Sequence, residues 1–198
     1  MKRCFDLVLA LAGLVLLLPF FAIIAAWIRS DSSGPVFFRQ ERVGRFGRPF
    51  RIFKFRTMCL DAEAKGRQIT VGEDPRITRS GHFLRRYKLD ELPQLLNVIT
   101  GEMSLVGPRP EVPRYVALYP ERMRDVVLSV PPGITDFASL EYRDENAILG
   151  RAADPEKAYI EEIMPVKLSY CERYVAERSL WVDLKLIFAT LFALAGRR

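Results

Sequence analysis

Arg85-Arg86-Tyr87-Lys88-Leu89-Asp90-Glu91-Leu92-Pro93-Gln94-Leu95-Leu96-Asn97 runs on through Gly101 into Ser104-Leu105-Val106-Gly107-Pro108-Arg109-Pro110-Glu111. Leu92, Leu95, Leu96 and Ile99 recur at i, i+3, i+4 and i+7, the spacing of one buried helix face. Asp90 stands where that helix should begin and Gly101 where it should stop. Pro93 is tolerated in a first turn and excluded deeper in. Asp90 and Glu91 are then neighbouring carboxylates at a positive helix end, with Arg85, Arg86 and Lys88 just upstream. One reading is an ordinary cap and a first-turn acid, each worth ~1 kcal/mol. The other takes the helix end as holding a carboxylate ionised, which suits a nucleophile or a metal ligand. Gly107-Pro108-Arg109-Pro110 is a stiff turn that fixes an arginine, the side chain best shaped to grip phosphate. Two acids, a held arginine and nearby bases point toward metal-assisted phosphoryl chemistry.

Upstream, Leu7 to Ile28 is an uncharged apolar run bounded by Lys2, Arg3 and Asp6 on one side and Arg29 on the other. It is long enough to span a bilayer, and too long for the apolar core of a signal peptide. Pro19 divides it into arms of about 18 and 14 Å at helical rise. Basic residues flank both ends, which places both on the cytoplasmic side. Residues 1–30 are therefore expected to form a re-entrant membrane helix broken at Pro19, a kinked spanning anchor being the alternative. Residues 31–198 are expected to form the domain at the cytoplasmic face.

The chain of 198 residues carries 30 Lys and Arg against 24 Asp and Glu, a formal charge of +6, which favours an anionic partner. Its three cysteines are too few and scattered for a disulfide framework or a zinc site, and one histidine, His82, excludes a histidine-based metal cluster. Val36–Val43 and Phe50–Arg56, separated by Gly44 and Gly47-Arg48-Pro49, predict a basic, aromatic β-hairpin. Such a surface suits anionic lipid or single-stranded nucleic acid; the adjacent membrane segment favours lipid.

Further along, Asp61–Ser80 reads as a long polar loop and a candidate lid. Gly81–Tyr87 predicts a short helix, and Val112–Val130 a helix interrupted at Pro120. Ile134–Tyr142 looks extended, Asp154-Pro155 starts a helix reaching Met164, and Pro165 begins the last helical region. Leu186–Ala195 is too short to span but, with Trp181, Lys185, Arg197 and Arg198, can lie in the interface. Asp183 is an acid on that apolar helix. The fold class expected is α+β, mostly helical, with a membrane helix-hairpin, a small β-hairpin and amphipathic interfacial helices around a catalytic domain.

Lys54-Phe55-Arg56-Thr57-Met58, Leu89-Asp90-Glu91-Leu92-Pro93-Gln94, Gly101 through Glu111, Pro132-Gly133-Ile134-Thr135 and Leu180-Trp181-Val182-Asp183-Leu184-Lys185 together resemble the bacterial sugar transferases. These are monotopic polyprenyl-phosphate phosphoglycosyl transferases, and the likeness is to their short form. The resemblance implies transfer of a sugar 1-phosphate from a UDP-sugar to polyprenyl (undecaprenyl) phosphate with release of UMP, at the bacterial inner membrane. It implies Asp90 as the nucleophile of a ping-pong reaction through a phosphoryl-aspartate. Asp90 and Glu91 would hold Mg²⁺ (or Mn²⁺), Lys54 and Asp183 would support the site, and Arg85, Arg109 and Arg56 would contact phosphate. Nucleic acid is not an expected partner; downstream glycosyltransferases and a second copy of the chain are further candidates. A non-catalytic membrane-tethered interaction protein and a basic nucleic-acid-binding module are the rival classes. Two positions depart from the pattern. Leu18 precedes Pro19 where the family often has serine, and Asp136–Glu145 replaces the usual continuation after Pro-Gly-Ile-Thr, which bears on the nucleotide-sugar contacts.

Overall fold

The apolar run lies within one long helix, α1 (Lys2–Asp31), in a computed structural model that describes residues 1–60, 62, 70, 72, 74–142 and 145–196. Helical backbone continues through Pro19, so the proline lies inside one helix and not between two. Asp6, Ala10, Phe21, Ile24 and Ile28 are its buried residues, and Leu14 and Leu17 pack inward between them. This is a single stripe at helical spacing. The opposite side is apolar and open, with Leu16 at 74% and Ile23 at 66% exposure. By length and composition α1 can cross a membrane.

The stripe rests on the β-hairpin and the central helices. Strands β1 (Phe37–Val43) and β2 (Pro49–Phe55) pair antiparallel from Phe37–Phe55 to Val43–Pro49, within a residue of the expected hairpin. Alternation sends Phe50 and Ile52 inward against Ala10, Leu95 and Val98. Helix α2 (Arg79–Arg86) is capped by the Thr78 hydroxyl, which accepts from the Gly81 N–H at 3.0 Å.

The central stretch is built differently from its hydrophobic pattern. Leu89–Glu91 forms a separate 3₁₀ turn entered through Lys88 in the left-handed region (φ 55°). Pro93 then caps α3 (Gln94–Thr100), which ends at Gly101 (φ 88°) as expected. Asp90 is thus within a turn and not the cap of α3. The buried positions of α3 are Gln94, Leu95, Asn97 and Val98, and Leu96 and Ile99 are only half-buried. The helical phase is set after Pro93, which shifts the inner face by one residue.

A two-stranded parallel pair, β3 (Ser104–Val106) and β4 (Gly133–Thr135), carries the next segment. A Cβ on Gly133 would stand 2.0 Å from the Gly107 nitrogen, so only glycine permits the approach of these two backbones. Between the strands lie α4 (Pro113–Val116) and α5 (Glu121–Leu128), separated at Pro120 as expected. After β4 the expected extended run is instead helix α6 (Phe137–Glu141), because the Asp136 carboxylate caps it, accepting from the Ser139 N–H at 2.7 Å.

Two short helices follow, α7 (Glu145–Leu149) and α8 (Pro155–Ala158), then a π-helical turn (Tyr159–Ile163) and α9 (Met164–Glu177). Pro165 falls in the first turn of α9, where it interrupts nothing. The break comes later, at Ser179, which caps α10 (Leu180–Ala195). Tyr115, Val127, Leu149, Tyr159, Ile163 and Leu168 close a core around α9. Helix α10 exposes Trp181, Phe188, Leu191 and Phe192. The α+β, mostly helical class holds. Half of the candidate lid (61, 63–69, 71 and 73), residues 143–144 of the atypical stretch, and 197–198 lie outside the described residues.

Candidate active site

The 3₁₀ turn presses Asp90 and Glu91 inward, each 7% exposed, against β2 and the loop after β3. Glu91 is held from two sides. Lys54 Nζ on β2 donates to its Oε1 at 2.9 Å, and Arg109 Nη1 donates to its Oε2 at 2.9 Å, with Nη2 on Oε1 as well. Burial pushes the Glu91 carboxyl up, but Arg109 and Lys54 outweigh it and hold the group well below the usual carboxylate range. The same contact holds the Arg109 guanidinium above its ordinary value, whereas burial pulls the Lys54 ammonium down.

Asp90 is the opposite case. Its Oδ1 is buried without a hydrogen-bond partner. Burial and the neighbouring Glu91 charge push its carboxyl up, against the pull of Lys54, Arg85 and Lys88. Asp90 sits in a 3₁₀ turn and not at the start of α3, and burial and a like charge act there against the ionised form that a helix end favours. Arg85, at the last turn of α2, donates to the Thr70 hydroxyl at 2.7 Å and supplies one of the positive charges acting on Asp90.

Arg109 is placed by its backbone. Its N–H donates to Asp136 Oδ2 at 3.2 Å, the Pro108 carbonyl accepts from Gly133 N at 2.9 Å, and the Gly107 N–H reaches Thr135 O at 3.0 Å. Beyond it, Glu111 accepts from Arg42 Nη1 at 3.1 Å, from the Tyr159 hydroxyl at 2.5 Å and from the Val112 N–H at 2.9 Å. The arginine turn is thus clamped at both ends.

Two expected site residues are engaged elsewhere. Arg56 donates to the carbonyls of Ser33 at 2.6 Å and Ser32 at 2.8 Å, satisfying acceptors just past the end of α1. Asp183, fully buried, accepts from Lys2 Nζ at 2.6 Å. Its Oδ1 lies 2.8 Å from the Tyr174 hydroxyl, which is also 2.9 Å from the Val106 carbonyl. It supports the strand that leads to Arg109, not the carboxylate pair. His82 is exposed on α2. Sequence reasoning missed the roles of Arg42, Asp136 and Tyr159; Asp136 and the Pro-flanked acid Glu111 stood in stretches singled out above, but what they hold did not show there.

A buried acid with a free oxygen, beside a second acid neutralised by lysine and arginine, defines a site for an anionic substrate. It lies in a body joined to a long apolar helix. The chain matches the family described as bacterial sugar transferase over residues 1–197 and belongs to that family. It is 38% identical over 195 residues to the UDP-glucose:undecaprenyl-phosphate glucose-1-phosphate transferase of Escherichia coli (strain K12), covering 97% of this chain and 39% of that protein. It is 36% identical over 192 residues to the UDP-N-acetylgalactosamine-undecaprenyl-phosphate N-acetylgalactosaminephosphotransferase of Aeromonas hydrophila, covering 96% and 42%. The chain spans less than half the length of these two relatives. A third, the exopolysaccharide production protein PSS of Rhizobium leguminosarum bv. phaseoli, is 37% identical over 199 residues, with 96% and 93% covered.

Proposed function

We propose that this chain transfers a sugar 1-phosphate from a UDP-sugar to polyprenyl phosphate, releasing UMP, at the cytoplasmic face of the bacterial inner membrane. The observation that carries the reading is the unpartnered, buried Oδ1 of Asp90 next to Glu91, the carboxylate on which Arg109 and Lys54 converge. The activities for which the E. coli and Aeromonas relatives are named support it.

In the first half-reaction an ionised Asp90 oxygen attacks the sugar-bearing phosphorus. An O–P bond to Asp90 forms, the P–O bond of the diphosphate breaks, and UMP leaves with the electron pair. In the second, an oxygen of polyprenyl phosphate attacks that phosphorus and the Asp90 O–P bond breaks. Arg109, Lys54 and Arg85 stabilise the negative charge that develops as UMP departs. The free Asp90 oxygen and the adjacent Glu91 carboxylate are hard oxygen donors that fit Mg²⁺ (or Mn²⁺), an ion that commonly takes one or two carboxylates and completes its shell with phosphate and water. Held there, the ion would supply further neutralisation of the diphosphate.

Helix α1 enters the membrane from one side on this reading. Both of its ends are tied to one body, Lys2 to Asp183 at 2.6 Å and Asp31 to the Ser80 N–H and hydroxyl at 2.8 Å each. The open apolar side of α1 and the exposed face of α10 would rest in lipid, holding the site at the headgroups, where the acceptor phosphate lies.

The test is UMP release by detergent-purified protein given Mg²⁺, polyprenyl phosphate and a panel of UDP-sugars. Release from one or more donors, lost in Asp90→Asn and after chelation, is expected. Folded, membrane-bound protein that releases no UMP from any donor would overturn the reading in favour of a non-catalytic tether.

A further inference from the structure

One face of α2 is turned away from the core. Its buried positions are Ser80, Gly81 and Leu84. Ser80 is bonded to Asp31, Leu84 packs with Ile24 and Ile28, and a Cβ on Gly81 would stand 2.1 Å from the Thr57 carbonyl oxygen. The helix is therefore seated closely on the body and on the end of α1. Arg79, His82, Phe83 and Arg86 are exposed at i, i+3, i+4 and i+7, one stripe along its outer side. The helix contains no acidic residue, and Arg85, its contribution to the candidate site, lies outside the stripe.

A row of rings joins this stripe to α1. Ring centroids of Trp27 and Phe83 are 5.2 Å apart, those of Phe83 and Tyr87 are 4.7 Å apart, and the Arg86 guanidinium stands 5.6 Å from the Tyr87 centroid. Trp27 and Phe83 remain 40% and 44% exposed, so the stack does not cover them. On α1, Leu16, Phe20, Ile23 and Trp27 recur at i, i+4, i+7 and i+11, all exposed on one face. The surface thus passes from apolar side chains through Trp27 and Phe83 to arginine. A bilayer leaflet has the same order: hydrocarbon, then the interface where tryptophan and tyrosine settle, then the phosphates.

We propose that the outer face of α2 docks on the anionic headgroups of the bilayer, with Trp27 and Phe83 at the interface. The inference uses one part of the reading above, that α1 lies in lipid, and none of its chemistry. Rings alone would serve at a zwitterionic surface, whereas arginines on a helix that has no acid match a negative one. A nucleic acid or a soluble acidic protein would suit the arginines but not the apolar stripe that runs into Trp27. Docking of this face would also fix the height of Arg85, which the same helix carries.

The experiment reads lipid contact at Trp27. Trp181→Phe leaves Trp27 as the one tryptophan of the chain, and the full-length protein is reconstituted in phosphatidylcholine vesicles. Phosphatidylglycerol or phosphatidylcholine, brominated near the top of the acyl chain, is added as a contact quencher at equal mole fraction. Phosphatidylglycerol should quench more strongly. Its relative affinity should fall about fivefold for each arginine removed in Arg79→Gln and Arg86→Gln, and should weaken in high salt. Arg122→Gln/Arg151→Gln takes the same charge from exposed positions outside α1 and α2 and should leave the preference unchanged. Equal quenching by the two lipids, a preference that survives in Arg79→Gln/Arg86→Gln, or one lost equally in the control would overturn the proposal. Trp27 quenched by neither lipid would overturn it in favour of a soluble acidic partner. No turnover enters this measurement. A protein that releases no UMP yet keeps the preference refutes the reaction alone, and an active protein without the preference refutes this surface alone.

Discussion

Glu91→Gln removes the one negative charge that Lys54 and Arg109 share. The side chains of Glu91, Lys54 and Arg109 are 10%, 17% and 32% exposed, so the cations left behind are poorly solvated. At an effective dielectric near 20, each contact is worth ~4 kcal/mol before desolvation. Taking one partner from a buried pair costs about 3–5 kcal/mol, and the partial exposure of Arg109 places this case toward the lower value. For a chain of this size that is a fall in Tm of roughly 6–20 °C. Thermal unfolding in detergent, wild type against variant, measures it at neutral pH. The acid side adds a second check. The Glu91 pKa is lowered on folding, so its stabilisation is complete above the ordinary carboxylate range and is lost as pH falls through the folded value. The gap between the two proteins should therefore narrow in acid. Adding Lys54→Met to Glu91→Gln removes one stranded cation and should recover part of the loss. A Tm difference below about 3 °C at neutral pH, on the same scale, or a gap that does not change with pH, would refute the reasoning.

Asp90→Asn should abolish UMP release while Tm holds or rises, because burial and Glu91 disfavour the charge that the substitution removes. UMP release by the wild type should climb with pH through a value raised above that of an ordinary aspartate, since the attacking form of Asp90 is the ionised one; a rise at or below the value of a free aspartate counts against it. Asp183→Asn breaks the pair with Lys2 and should cost about 3 kcal/mol, visible as a lower Tm and faster proteolysis at the N-terminus. Gly133→Ala would set a Cβ 2.0 Å from the Gly107 nitrogen; the parting of β3 from β4 should lower kcat through Arg109 and destabilise the fold by about 1–3 kcal/mol.

The hairpin was legible because alternation and turn glycines agree over both strands, and Gly101 because a left-handed cap favours glycine. The phase of α3 was not. Leu92, Leu95, Leu96 and Ile99 fit a face that would begin before Pro93, but Lys88 enters a 3₁₀ turn there and the helix starts anew. The buried stripe of α1 was hidden for another reason: in an almost wholly apolar run the inward positions look like the outward ones, and only contacts with Leu95, Phe55 and Leu84 mark them. In the site, Asp90, Glu91, Lys54 and Arg109 were found through their motifs. Arg42, Asp136 and Tyr159 were not, because their partners are distant in the chain. Arg42 and Glu111 lie 69 residues apart, and Tyr159 and Glu111 lie 48. In sequence each resembles an ordinary surface side chain.

Other long-range bonds connect α1 to the candidate site at two points. At one end of α1, Asp31 receives the Ser80 N–H and hydroxyl, and Ser80 lies in the first turn of the helix whose last turn holds Arg85. At the other end, Lys2 binds Asp183, which reaches Tyr174 and through it the Val106 carbonyl, three residues before Arg109. Asp6 adds a bond from the Ser104 hydroxyl at 2.8 Å, on the same strand. Each tether of α1 therefore ends on a segment that carries one of the two arginines assigned to phosphate. On the proposed reading the lipid acceptor is fixed in height by the bilayer, so the arginines must be fixed relative to the helix that sits in it. Tethers at both ends meet that need where one would not, because a helix held at one end can still pivot and carry the site away from the headgroups.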